Sequence, residues 1–426
     1  MIRRSRRTHR PRAHLAGAVA AALALALALA APLAGCAGAA GSGSAGSGAA
    51  TGTAGGAQAG QGAAEATPTT TVVPDFRDTD LGCGWQPTGS LELDYAKRFS
   101  VDYYEGGYQL VCIADGSRYL VVPEGASAPE GLSADITCIQ QPVGDVYLAA
   151  SDSMCLFDAL GETGRVTVSG IRQEDWSIEA AREAMATGAI VYGGKYASPD
   201  YDLLLSKGVR LAVESTMVNH TPDVREKLRE LGIPVLVEMA SYEDEPLGRT
   251  EWIKLWGSLL GQQARASELF DEQVRLAEAA RSEDTGKTVA FFYVNSNGSA
   301  VVRKPGDYVT KMIQYAGGDY AFSGLEDDGT ARSTVTLEME RFYEGAHDAD
   351  YIVYNASIDG GVSSVDELVE KNRLLADFKA VREGNVWCTS QDMYQQMTDT
   401  GAIISDFHEM LCDPAATDLE YLHRLG

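Results

Sequence analysis

The sequence predicts an α/β protein built as two doubly wound lobes joined by a long helical spine. Three observations predict it. Short apolar runs alternate with helix-period stretches between residues 146 and 238. The same alternation restarts at Thr288 and runs to Leu411. Between the two sets, Trp252, Leu255, Leu259, Leu260, Leu269, Phe270, Val274 and Ala277 recur at the spacing of one helix face. Alternating strands and helices read as mostly parallel sheets covered on both faces.

The chain opens with six arginines between Arg3 and Arg12, an apolar Ala/Leu run from Leu15 to Leu33, and Leu33-Ala34-Gly35-Cys36. A basic start, an apolar middle and a small-residue cleavage site make an export signal over residues 1–35. A retained transmembrane helix is the alternative, but about 19 apolar residues barely span a bilayer. The cysteine directly after the small pair resembles a bacterial lipobox. Cys36 is therefore the expected lipidation site, and the protein is expected outside the cytoplasm, anchored to the outer face of the cell membrane. Residues 36–75 are mostly Gly, Ala, Ser and Thr, which cannot bury a core, and are expected to form a flexible tether.

Loss of residues 1–35 removes six arginines and no acid, which moves the formal charge from −25 to −31. Such a surface argues against nucleic acid and against lying on anionic lipid. About 345 residues then remain to fold, more than one core usually serves. The expected division is a first lobe over 76–249, the spine over 250–284 and a second lobe over 285–426. Six cysteines remain besides Cys36, an even number that permits three disulfides in an exported chain; buried free thiols are the other reading. There is no C-x-x-C, hence no zinc-ribbon or redox-pair signal.

Residues 99–112 and 118–123 alternate in polarity and read as a leading antiparallel hairpin. First-lobe strands are expected at 146–150, 165–170, 189–193, 210–214 and 234–238, with helices at 153–160, 177–187, 201–207 and 222–231. The spine, taken as one helix, approaches about 50 Å, with a break expected at Gly261; two ordinary surface helices are the alternative. Second-lobe strands are expected at 288–294, 351–355 and 385–389, and helices at 308–316, 337–345, 364–372 and 401–411.

In doubly wound sheets ligands bind beyond the carboxyl ends of strands. In the first lobe those places hold Tyr192, Lys195, Glu214, Met217 and His220, followed by Tyr242 and Arg249. In the second they hold Tyr293, Asn295 with Arg303, Tyr354, Trp387 and Tyr394, with Arg332 in a Gly/Asp/Ser-rich loop. The chemistry of this set is recognition. Arginine and lysine pair with carboxylate, phosphate or an anionic chelate, arginine through a bidentate fork. Tyrosine and tryptophan offer flat apolar area with a polar tip. Core positions compete for Tyr192 and Tyr354, and solvation for Lys195. Beyond residue 35 there are only four histidines, and His220 alone stands at an expected strand end, so no bare-metal site and no cofactor are expected. G-x-S-x-G, H-E-x-x-H and G-x-x-x-x-G-K-[ST] are all absent, so no enzyme is expected. The alternatives are a membrane-anchored hydrolase with a spatially assembled triad, or a surface adhesion or scaffold lipoprotein.

Four local sequences occur in a particular order: Ser153-Met154 with Asp158-Ala159-Leu160-Gly161 and Arg165-Val166; Pro222 with Lys227-Leu228 and Glu230-Leu231-Gly232-Ile233-Pro234-Val235; Tyr242-Glu-Asp-Glu-Pro-Leu-Gly-Arg249; and Ala316-Gly317-Gly318-Asp319. In order and spacing, over residues 99–412, they resemble the helix-spined solute-binding proteins of ABC importers for iron-siderophores, cobalamin and haem. The resemblance implies two rigid Rossmann-like lobes that hold a ligand in their cleft and a spine that limits hinge motion. It implies a ferric siderophore, haem or corrinoid as ligand, an ABC permease and its ATPase as partners, and a monomer. Axial contact to haem or cobalt is compatible with His220, Met217 or a tyrosine. One acid on each lobe docks the permease in this family. Asp202 stands at the first position, one methylene shorter than the usual glutamate. Glu338 and Glu340 both stand near the second.

Overall fold

Three sheets organise the computed structural model, which describes residues 72–73, 75–281, 284–326 and 333–426. All of these fall in the unit Gly56–Gly426. Cys36 and Arg332 lie outside the described residues.

The first sheet runs in chain order: β1 (Gly89–Ser90), β2 (Phe99–Tyr103), β3 (Gln109–Ile113), β4 (Arg118–Val122) and β5 (Ile136–Gln140). It is antiparallel up to β4, and β5 joins β4 in parallel. The expected hairpin is its centre. Alternation along β3 and β4 feeds two cores, because successive side chains point to opposite faces. Leu110, Cys112, Leu120 and Val122 join Leu81 and Tyr104 in a small outer cluster. Val111, Ile113, Tyr119 and Val121 join the main core.

The second sheet holds β6 (Val146–Leu148), β7 (Val166–Ser169), β8 (Val191–Tyr192), β9 (Leu211–Ser215) and β10 (Val235–Glu238) in the order β10-β9-β6-β7-β8, all parallel. The chain builds outward from β6 to one edge, then returns to build the other. The direction of winding reverses between β6 and β9, where doubly wound sheets open a crevice. Helices α1 (Met154–Ala159), α2 (Glu179–Ala186), α3 (Tyr201–Ser206) and α4 (Pro222–Glu230) are its crossovers.

The third sheet contains β11 (Lys287–Val294), β12 (Ala300–Arg303), β13 (Gly318–Tyr320), β14 (Thr334–Leu337), β15 (Tyr351–Tyr354), β16 (Val386–Thr389) and β17 (Leu422–Arg424), in the order β14-β12-β11-β15-β16-β17 with β13 on the first residues of β11. β11, β15 and β16 form its parallel centre, flanked by antiparallel β12, β14 and β17.

The spine breaks at Gly261 as expected, but its two helices fold back on each other instead of continuing as one rod. α5 (Pro246–Leu260) ends at Gly261, whose φ of 73° is the left-handed cap that glycine adopts without strain. α6 (Gln263–Ala280) returns alongside it. Lys254 Nζ lies 4.3 Å from the Phe270 ring centre, and a Cβ on Gly257 would stand 2.6 Å from Ala266 Cβ. The rod of about 50 Å is replaced by helices of about 22 and 27 Å. Every residue of α5 is buried. It packs on the first lobe, Trp252 against Phe99 and Trp256 against Phe157 with ring centres 5.0 and 4.6 Å apart. The second-lobe helices are α7 (Tyr308–Tyr315), α8 (Met339–Ala346), α9 (Ala356–Asp359), α10 (Val365–Lys371), α11 (Lys379–Glu383) and α12 (Thr400–Cys412). α6 packs on α12, where Gln273 Oε1 accepts from the N–H groups of Gly401 and Ala402 at 2.9 and 3.2 Å.

Two acids tie the first sheet to this hairpin. Glu251 accepts from the N–H groups of Asp94, Tyr95 and Ala96 at 3.0, 2.8 and 2.8 Å and from Lys254 Nζ at 2.7 Å. Glu243 accepts from the N–H groups of Lys97 and Arg98 at 2.8 and 2.9 Å and from Trp252 Nε1 at 3.0 Å. Five consecutive backbone donors thus end on two side chains. All six cysteines among the described residues are free thiols, with Cys112, Cys155 and Cys388 buried.

Candidate ligand site between the lobes

Arg249 enters the site from the first turn of α5, packed as part of the first lobe. Asp152 reaches it from the turn Ser151–Ser153 that follows β6, the strand at which the winding reverses. Their closest approach is 3.7 Å. From the second lobe, Asp307 caps α7 by accepting from Val309 N–H at 2.9 Å, which fixes Tyr308 at the first position of that helix. The Arg249 guanidinium carbon lies 3.9 Å from the Tyr308 ring centre. A cation over an aromatic face is attracted by the ring quadrupole.

A second arginine–tyrosine pair stands beside the first. Arg303, at the end of β12, lies 4.7 Å from the Tyr394 ring centre and donates to its hydroxyl. It also meets Asp307 at 3.4 Å and Ser333 Oγ at 3.2 Å. Asn355, at the carboxyl end of β15, caps α9 with its Oδ1 and donates from Nδ2 to Tyr394 at 2.9 Å. The Tyr308 and Tyr394 rings meet edge to face at 6.5 Å. Two guanidiniums and two phenols, drawn from both lobes, therefore form one cluster.

Burial opposes the Arg249 charge, but Tyr308, Asp152, Glu238 and Asp307 outweigh it and move its pKa up. Burial likewise opposes the Arg303 charge, with Tyr394 and Asp307 raising the pKa. Both remain cations. Glu238, at the end of β10, is pushed well above the carboxylate range, mainly by burial and then by Asp152. It accepts from Ala240 N–H at 2.6 Å. Both arginines are over nine-tenths buried, so an oxygen anion placed against them would be held in a poorly solvating environment, where charge-assisted bonds are strong.

Direct contacts close the lobes around this cluster. Gln395 accepts from Ser177 N–H at 2.9 Å and donates to the Asp175 carbonyl at 3.0 Å. Lys311 donates to the Asp244 carbonyl at 2.6 Å and pairs with Glu245 at 3.0 Å, and Tyr315 also donates to Glu245. Thr250 Oγ1 donates to the Met397 carbonyl at 2.8 Å.

Of the residues expected from the sequence, Arg249, Arg303 and Tyr394 are brought together here. Tyr293 lies close enough for the Arg303 charge to act on its phenol, and the other described residues of the set are placed elsewhere. Tyr192 is half-buried under Arg172, whose guanidinium carbon is 4.5 Å from its ring, and Lys195 is exposed in the following turn. Glu214 is buried on β9 with both oxygens unpartnered, and burial lifts its carboxyl to about 8. Met217 is half-buried and His220 exposed in the turn after β9. Tyr242 is half-buried and accepts from Arg98 through its carbonyl. Tyr293 is half-buried on β11, and Asn295 braces its own loop by accepting from Asn297 and Ser299 N–H. Tyr354 and Trp387 are inside the second-lobe core, Tyr354 donating to Asp359 at 2.6 Å. Asp202 is exposed in the first turn of α3, and Glu338 and Glu340 are exposed at the start of α8.

Sequence reasoning did not single out Asp152, Glu238, Asp307 or Tyr308. Asp307-Tyr308 carried a signal: an Asp before an apolar helix is an N-cap, and the residue after it is thereby fixed in place. Asp152 follows an expected strand, but only the strand order shows that this is the strand at the reversal.

Two α/β lobes with a buried polar cluster between them define a two-lobed solute-binding fold of the ABC-importer type. The chain belongs to the periplasmic binding protein family, whose model matches residues 153–393. The sheet β1–β5 precedes that span. An uncharacterized lipoprotein of Methanocaldococcus jannaschii is 27% identical over 346 residues, covering 75% of this chain and 81% of the relative. The fold is similar to the petrobactin-binding protein YclQ of Bacillus subtilis, with a TM-score of 0.52 and 13% identity over 64% of this chain and 93% of that one. It is also similar to a periplasmic binding protein of Veillonella parvula, with a TM-score of 0.51 and 16% identity over 67% and 96%.

Proposed function

We propose that this protein captures an anionic metal chelate, a ferric siderophore or haem, between its lobes and delivers it to an ABC permease and its ATPase. It works outside the cytoplasm, anchored through Cys36, as the lipoprotein relative and the export signal support. One observation carries the ligand class: Arg249 and Arg303, buried from opposite lobes in a chain of net charge −25, each facing a tyrosine. Asp202 and one of Glu338 and Glu340 are the proposed permease contacts, supported by their exposure at helix starts.

Native mass spectrometry and absorbance of protein from its own host identify the ligand. Calorimetry of Arg249→Ala and Arg303→Ala against ferric siderophores, haem and cobalamin tests the charge argument. Removing one partner of a desolvated charge pair costs roughly 2–5 kcal/mol, about 30-fold or more in affinity. If both variants bind within threefold of the parent, the anionic ligand is refuted and a neutral corrinoid becomes the better reading.

A further inference from the structure

The sheet β1–β5 lies ahead of the matched span 153–393, yet one of its connections is part of the junction between the lobes. That connection, residues 94–98, joins β1 to β2. Its backbone N–H groups end on Glu243 and Glu251, which flank Arg249 along the chain. The Tyr95 ring centre lies 6.1 Å from that of Phe270 on α6. A Cβ on Gly248, the residue before Arg249, would stand 3.2 Å from the Tyr95 carbonyl oxygen. The loop is therefore seated directly on the turn of α5 that presents Arg249. Residues just after β5 hold the far end of the same helix. Gln141 Nε2 donates to the Ser258 carbonyl at 2.6 Å, and Val143 N–H to the Leu259 carbonyl at 3.0 Å.

Arg98 reaches beyond α5. Its Nε donates to the Tyr242 carbonyl at 3.0 Å, and its Nη2 approaches Asp244 at 3.7 Å. Tyr242–Glu245 belongs to the segment that crosses from β10 to α5, and the second lobe closes on it. Lys311 donates to the Asp244 carbonyl at 2.6 Å and pairs with Glu245 at 3.0 Å, and Tyr315 donates to Glu245. Lys311 and Tyr315 stand about one and two turns along α7 from Tyr308. A shift of the crossing segment would therefore carry α7, and with it the Tyr308 ring that faces Arg249 at 3.9 Å. Asp244 is 60% exposed, and a segment with few buried contacts moves readily. Arg98 and Glu243 are what tie this one to the first sheet.

We infer that the loop 94–98 of the first sheet sets how closely the lobes meet, and that Arg98 is the positioning residue through which it acts. Arg98 holds the crossing segment where Lys311 and Tyr315 dock, and so brings Tyr308 onto Arg249. Its bearing on capture rests on the chelate reading; the lobe geometry does not.

Hydrogen exchange of the full chain, read by mass spectrometry without added ligand, tests this at Ser177. The Ser177 N–H donates across the lobes to Gln395 at a separate contact. Arg98→Ala should speed exchange there by about tenfold or more, while the Ala212 N–H inside β9 stays within about threefold of the parent. Arg98→Lys keeps a donor for the Tyr242 carbonyl and should restore most of the protection. Arg98 is 22% exposed, so its loss leaves the core intact; should Arg98→Ala not fold, Gly248→Ala, which presses the same loop away from α5, is read by the same criteria. In the folded variant, Ser177 exchange within about threefold of the parent overturns the inference. So does equal acceleration at Ser177 and Ala212, which marks general loosening and not separation of the lobes. The chelate reading is tested by calorimetry at Arg249 and Arg303, so either can fail without the other.

Discussion

Glu251 is the residue whose removal should cost the fold most per atom. It is fully buried in α5, accepts three backbone N–H bonds from Asp94, Tyr95 and Ala96, and pairs with buried Lys254 at 2.7 Å. Glu251→Gln keeps the shape and removes the charge. Its amide NH₂ must face either backbone donors or the Lys254 ammonium, so at least one buried donor loses its acceptor. Hydrogen bonds to charged groups contribute about 1.5–3 kcal/mol each, and breaking a buried ion pair costs about 3–5 kcal/mol. These overlap at one carboxylate, so about 3–5 kcal/mol is the working figure. Lys254→Met should cost less, about 1–2 kcal/mol, because Glu251 keeps its three backbone donors. Urea unfolding of the parent and the single and double variants measures this, with the double variant well short of the sum. A Glu251→Gln cost under about 1 kcal/mol would refute the reasoning, because it would show that the clamp carries no net energy.

The remaining predictions concern protons, helix contacts and lobe closure. Burial lifts Glu214 to about 8, above its unfolded value, so the native state holds this proton more tightly. Its contribution is fully present below pH 4.5 and is lost as pH rises through about 8; Glu214→Gln should therefore gain on the parent progressively between pH 4.5 and about 8 and level off above that, and a pH-independent difference in unfolding free energy would count against it. Gly401→Ala should destabilise by about 1–3 kcal/mol in the same assay, because its Cβ would collide with the Gln273 carbonyl across the α6–α12 contact. Gln395→Ala removes two bonds between the lobes and should widen the particle in small-angle scattering without changing the unfolding midpoint by more than a few degrees.

The alternating pattern carried the lobes well. First-lobe strands and helices appear within a few residues of their expected places because each is a buried run flanked by turn residues. The antiparallel strands that flank the parallel centre, β12, β14 and β17, were missed because they fall outside the strand–helix alternation by which the parallel strands were recognised; at three or four residues they are no shorter than β6 or β8. The helical hairpin was half legible. Gly261 announced the break, but whether two helices continue or fold back depends on Gly257 and Ala266 meeting across the turn, a contact that no single-helix period encodes. At the site, Arg249 and Arg303 were reachable from composition and position, because a cation between strand ends needs a reason to be buried. Tyr354 and Trp387 stand equally close to strand ends in sequence, yet the side of the sheet they face puts them in the core.

Two cations on α5 show how a structural pair differs from one open to a ligand. Lys254 is buried and meets Glu251 at 2.7 Å, the distance of a closed charge-assisted bond. Arg249, earlier on the same helix and equally buried, stays 3.7 Å from Asp152 and makes no hydrogen bond among the described residues. If Asp152 only neutralised Arg249 for the sake of the fold, the pair should close as the other does. Its looseness instead leaves the guanidinium fork available, with Asp152 as a competitor for any incoming anion. Asp152→Asn separates these roles. As a competitor, its loss should raise affinity for an anionic chelate by about tenfold, near 1.4 kcal/mol, with stability little changed. As a structural partner, its loss should leave a buried arginine unpaired, lower stability by about 3–5 kcal/mol and weaken binding. Calorimetry and urea unfolding of the one variant distinguish them, and tighter binding without unfolding is the outcome expected of a site built around Arg249.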